Sequence, residues 1–197
     1  MLRSTKPRMT PTDSLLSSLN EMLAELEPYL LSPTLFWPIK SRDSGIPQDR
    51  LTLGNLLLCL DQLSAIRDSW DLQTEVGFRK SELLWEHEQE KWKSSIRKKA
   101  SQEIGSRLNL WRAYVMDLDD GQAANFDYHH EVRNRVIIER LLEFISDRET
   151  WEKDLNSVDR LLQSLVVQSE FVWTEHLQPM YPSQAYWFLY RIPRKRD

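Results

Sequence analysis

The chain has 197 residues, 41% of them hydrophobic and 28% charged, with a formal net charge of −4. That supplies ample apolar material for one core, and the acidic balance argues against a surface built throughout for nucleic acid. Five glycines disfavour a loop-rich or β-rich fold, the one cysteine, Cys59, leaves no intrachain disulfide framework and points to a reducing, cytoplasmic compartment, and no apolar run approaches the roughly 20 residues that cross a bilayer.

Residues 1–12 hold Arg3, Lys6 and Arg8 without an acid, and Pro7 and Pro11 spoil an amphipathic helix; they read as a disordered leader. A helical bundle is expected over 13–178. Its first helix, 13–27, takes Asp13 as N-cap and Leu15, Leu19, Met22 and Leu26 as its stripe, and Pro28 ends or kinks it. Pro28, Pro33 and Pro38 forbid a regular helix beyond that point. Leu30, Leu31, Leu35, Phe36, Trp37 and Ile39 are nonetheless apolar, so this stretch is expected as an extended, Pro-flanked strap packed on the helices. Residues 41–49 read as a polar loop. Thr52 caps a second helix running to about Trp70, whose wide apolar face includes Leu53, Leu56, Leu57, Leu60 and Leu63; Cys59 within it reads as a buried, inert thiol. A connection over 68–77 ends at Gly77.

The third helix is expected over 80–118, which contains no proline. At about 1.5 Å per residue it would be about 58 Å long, with Gly105 as a kink. Asp119, Asp120, Gly121 and Asn125 favour a tight reversal into a fourth helix from Asp127. Ile104, Leu108, Trp111, Val115 and Leu118 on one side of the turn, and Val132, Val136, Ile137, Leu141, Phe144 and Ile145 on the other, recur every three or four positions, the pattern of a long helical hairpin. Ser146-Asp147-Arg148-Glu149 resembles a capping box. Even so, Trp151, Leu155, Val158, Leu162, Leu165, Ser169, Val172 and His176 keep a heptad beat, so one nearly continuous helix is expected. Trp111, Val115, Val136, Leu141 and Leu162 are the expected core. Residues 179–197 form an aromatic segment, Tyr186 to Tyr190, with a basic end, Arg191 to Arg196.

Few catalytic patterns are present. No Glu-x-x-His occurs for a ferritin-like metal site. His87, His130 and His176 are the residues a mononuclear site would draw on, but each has a simpler reading as surface or seam, so no metal and no cofactor are expected. The run 117–121 fails as a calcium loop because Tyr128 stands where a bidentate Glu is needed. Glycine-rich phosphate loops and nucleophile elbows are lacking from the sequence.

Two surface patterns remain. Eight tryptophans are many for this length, and Trp is enriched at interface anchors. Trp85 and Trp92 lie seven apart on an otherwise polar helix, and with Tyr186, Trp187 and Tyr190 they are the candidate partner-binding residues. Lys91, Arg97, Lys98 and Lys99 are the candidate nucleic-acid contacts. For the tail, packing against the bundle is favoured over docking on a partner or membrane interface.

The expected fold is all-α: an elongated antiparallel helical bundle with a long, coiled-coil-like hairpin. The expected function is that of a non-catalytic scaffold or protein–protein interaction subunit, through a protein partner or self-association. A nucleic-acid-associated subunit is the alternative, and a metal-dependent bundle enzyme the third reading.

Overall fold

The computed structural model describes residues 10–39, 50–122 and 127–194. Residues 1–9 of the expected leader 1–12, the polar loop 41–49, part of the acidic turn and the basic residues 195–196 lie outside them; of the rest of that leader, Pro11 and Thr12 are helical. The described chain is mostly helical, with one two-stranded antiparallel sheet.

Helix α1, Pro11–Ala24, begins two residues earlier than expected. Thr10, not Asp13, is the N-cap, and Asp13 closes a capping box by accepting the Thr10 N–H at 2.9 Å. The break after it falls at Glu25, and α2, Leu26–Leu31, carries Pro28 in its first turn, where a missing N–H costs little. Proline therefore opens a short helix here rather than ending a long one. Residues 32–39 are non-helical, and a lone pair of backbone hydrogen bonds between Trp37 and Leu51 ties them to the entrance of the next helix.

That helix, α3, is Leu53–Ala65, with Thr52 accepting the Asn55 N–H at 3.1 Å as its cap. The expected connection over 68–77 is instead largely helix. Asp71 caps α4, Leu72–Lys91, by accepting the Thr74 N–H at 2.7 Å, and Gly77 lies inside it, where a Cβ would sit 3.1 Å from Leu16 Cδ2 of α1. Glycine marks close helix packing there, not a turn.

The expected single helix over 80–118 is broken at Trp92 (φ −111°, ψ 22°), so α5 is Lys93–Asp119. The break separates two docking tasks: Phe78, Ser81 and Trp85 are the buried residues of α4, which packs on α1, whereas α5 packs chiefly on the helix after the turn. Gly105 lies within the unbroken α5; its bare α-carbon faces the Trp151 ring, which a Cβ would meet at 3.5 Å. The reversal is as expected at its start. Gly121 adopts φ 74°, and the Gln122 and Gly121 N–H groups donate to the Asp117 and Leu118 carbonyls, a Schellman motif.

Helix α6, Tyr128–Leu142, runs antiparallel to α5: Arg107 meets Asn134 while Trp111 meets Tyr128. Near-continuity beyond it does not hold. Residues 143–148 are irregular, closed by Arg148 Nε donating to the Leu142 carbonyl at 2.9 Å, and α7 is Glu149–Leu165. The heptad beat is helical only through Leu162 and Leu165. β-branched Val166 and Val167 then form β1, Val166–Gln168, paired with β2, Arg191–Pro193; a seam read at helical spacing hid a strand pair made from distant sequence. His176 lies in a short 3-10 turn, Glu175–Met180.

All five expected core residues, Trp111, Val115, Val136, Leu141 and Leu162, are fully buried.

Candidate functional site

The helices bring an unusual amount of buried charge together. Glu103 on α5 is fully buried. Its Oε2 accepts the Gly54 N–H at 3.0 Å in the first turn of α3, where helix N–H groups lack partners, and its Oε1 accepts from Arg107 at 3.2 Å. Arg107 also donates to Asn134 of α6 at 3.1 Å and Asn55 of α3 at 3.4 Å. Arg133 reaches the same Asn55 oxygen at 3.1 Å. This network pins α3, α5 and α6 together. It borders a cleft of about 720 Å³ whose walls include Leu15 and Met22 of α1, Leu58 of α3, and Trp173 and Leu177 of the C-terminal segment.

A second buried set fastens that segment. Asp61 of α3 accepts the Tyr181 hydroxyl at 2.9 Å and pairs with Arg140 of α6 at 3.1 Å. Burial pushes the Asp61 carboxyl up, more than Arg140 and Tyr181 pull it down, and burial likewise pushes the Tyr186 hydroxyl up to about 12. Arg135 pairs with Asp159 at 3.0 Å and Glu139 at 2.9 Å and stands 4.5 Å over the Phe188 ring. Tyr128 donates to the Phe188 carbonyl at 2.8 Å. Each buried ion finds a partner, as buried charge requires. In both sets the charges join elements to one another, and Asn55 and Arg133 of the first and Tyr181 of the second also line the cleft.

The sequence-derived candidates scatter. Trp85 is buried, edge-on to Phe144 at 6.3 Å. Trp92 is half-buried at the helix break, with Lys91 Nζ 4.9 Å above its ring. Tyr186 is buried against Tyr181 at 5.0 Å, while Trp187 and Tyr190 are half-buried; Tyr190 donates to the Tyr181 carbonyl at 2.9 Å. Of the cations, Lys91 pairs with Glu27 at 3.1 Å, and Arg97 and Lys98 are exposed. Lys99 is only 2% exposed; its ammonium donates to the Thr34 carbonyl at 2.6 Å and lies 4.3 Å over Tyr29, and burial lowers its pKa. The four basic residues therefore do not share one open face. Among the described residues no group of three or more His, Cys, Asp or Glu is placed to hold a metal ion. His130 is 75% exposed at the start of α6.

The feature missed in the sequence is the outer face of α4. Leu72 is 80% exposed, Leu83 50%, Val76 47% and Leu84 44%. At 3.6 residues per turn Leu72, Val76 and Leu83 share one stripe, opposite the buried Phe78, Ser81 and Trp85. Reading 68–77 as a connection removed two of the three stripe residues from view; Asp71 as N-cap is the signal that restores them.

No protein-family model, no curated protein and no solved structure matches the chain. No helix among the described residues is long and apolar enough to cross a membrane.

Proposed function

We propose that the protein is a non-catalytic helical-bundle scaffold that serves as an interaction subunit, and that the outer face of α4 receives an amphipathic helix of a protein partner. The observation that carries this reading is the two-sided α4: one face closes on α1 while Leu72, Val76 and Leu83 stand in solvent in helical register on the other. Exposed apolar side chains spaced in this way, with Arg79 and Glu86 between and after them, match an amphipathic helix-on-helix contact. A stable interface needs about 800 Å² per partner, so the partner extends past these side chains onto the flanking Lys80, Glu86 and His87, which are exposed. Self-association is a weaker form of the reading. A parallel α4 pair stacks Arg79 on its copy and Glu86 on its copy, and an antiparallel pair sets the Glu75 and Glu82 flank against itself. The buried ion pairs support a holding role over catalysis, because their geometry joins elements. The cytoplasm suits a chain with a single, buried cysteine.

The test is affinity isolation from native lysate with wild-type protein and a Leu72→Ser/Leu83→Ser variant as baits. The reading expects a stoichiometric companion on the wild type that is lost on the variant, with unchanged thermal unfolding. Identical companions on both baits contradict it.

A further inference from the structure

The cleft of about 720 Å³ beside the Glu103 network has two unlike ends. The Cys59 thiol of α3 donates to the Leu15 carbonyl of α1 at 3.5 Å. Glu25, just past the end of α1, accepts the Trp37 indole N–H at 3.2 Å, and Trp37 pairs with Leu51 just before α3. The two helices therefore run antiparallel. Glu21 and Met22 stand at the Asn55 end of the cleft, and Ser14 and Leu15 at the Gln62 end. Arg133 joins the first end, since it donates to Asn55 at 3.1 Å. Among the described residues, Glu21 and Arg133 are the only Asp, Glu, Lys or Arg side chains lining the cleft; His129 and His130, one turn before Arg133, are exposed. Trp173 and Tyr181 form an aromatic wall, edge-on at 5.4 Å. Both rings have their polar atoms engaged elsewhere, the indole N–H on the His129 carbonyl at 2.8 Å and the hydroxyl on Asp61 at 2.9 Å. They offer the cleft ring surface, and Leu58 and Leu177 add aliphatic surface.

The geometry points to a binding site for an uncharged amphiphile, a small apolar molecule with one hydroxyl head. The volume falls in the range of ligand pockets, which are mostly apolar with a few placed polar groups. Charge complementarity selects the head. A carboxylate and a guanidinium share one end, so a net charge of either sign meets repulsion as well as attraction. A hydroxyl both donates and accepts, and so meets Glu21 and Arg133 together. It needs neither of them unoccupied, because a carboxylate offers about four acceptor sites and a guanidinium five donors. The body then lies against Leu58, Leu177 and the aromatic wall, where a charged group would lose its hydration without a partner. The inference is independent of the α4 face and stands or falls separately.

The full chain is titrated in a calorimeter with 1-octanol, octanoate and octylamine, three probes that share a tail and differ in head charge. The expected result is one equivalent of octanol bound, with both charged probes weaker by about ten-fold or more. Ser18→Trp, which fills the cleft from its half-buried position on α1, abolishes the octanol heat. A diazirine analogue of octanol is photolysed on the wild-type chain, and its adducts are mapped by mass spectrometry. They are expected on the peptides carrying Leu15, Met22 and Leu177. This readout decides the location even where Ser18→Trp lowers the melting temperature. Absence of octanol binding overturns the proposal. So does octanoate or octylamine binding as tightly as octanol, which contradicts the hydroxyl head, and so do adducts confined to residues outside the cleft.

Discussion

Gly54 and Glu103 approach each other more closely than any side chain at position 54 would allow. A Cβ there would stand 2.7 Å from Glu103 Oε1 and 2.3 Å from Ile137 Cγ2. The glycine thus lets α3 settle on both α5 and α6 and lets its own N–H reach the buried carboxylate. Gly54→Ala raises helix propensity by up to about 1 kcal/mol, but forced overpacking costs about 1–3 kcal/mol or more. Net destabilisation is expected in urea unfolding. A variant as stable as wild type would mean that the three helices pack more loosely than described.

Asp61 makes a prediction whose sign is not obvious. Its folded pKa is raised, chiefly by burial, so the fold favours the protonated form, and stability from this group is lost as pH rises from the unfolded value through the folded one. Asp61→Asn, which mimics the protonated form and keeps an acceptor for Tyr181, should be no less stable than wild type at neutral pH, with any gain vanishing in acid. Asp61→Ala leaves Arg140 and Tyr181 without their carboxylate and should cost about 3–5 kcal/mol. Chemical denaturation across pH checks both; an Asn variant as damaged as the Ala variant would show that the ion pair with Arg140 outweighs desolvation.

Lys99 behaves in the opposite titration range. Burial lowers its folded pKa below 10.5, so the unfolded chain binds the proton more tightly, and stability should rise as pH climbs from the folded value towards 10.5. Lys99→Met, similar in length and uncharged, should abolish that rise and change neutral-pH stability by less than about 1.5 kcal/mol. An alkaline rise of equal size in the Met variant would place its origin elsewhere.

The hairpin core is a direct packing test. Leu141 is fully buried between helices, so Leu141→Ala should cost about 2–5 kcal/mol; a melting temperature within a degree of wild type would remove it from the core.

What was legible in the sequence followed from local chemistry. Thr52 as a cap, Gly121 as a left-handed stop and the helical spacing of Trp111 with Val115 and of Ile137 with Leu141 each state a local preference that the fold keeps. The departures came from long-range pairing. Nothing around Trp92 breaks a helix by propensity; it breaks because α4 and α5 dock on different partners. Val166 to Gln168 fit a helical seam until residues 191–193, far along the chain, supply a strand. Gly77 and Gly105 look like breakers and are instead clearances for Leu16 and Trp151. The outer face of α4 stayed hidden for a local reason instead: without Asp71 read as an N-cap, its first turn was assigned to a connection.

The most direct test of the interaction reading is site-specific photo-crosslinking from native lysate, with a benzophenone side chain at position 83 and, separately, at the exposed position 98 of α5. The account predicts a discrete protein adduct from position 83 and none from position 98. Adducts to nucleic acid from position 98, with none from 83, would contradict it.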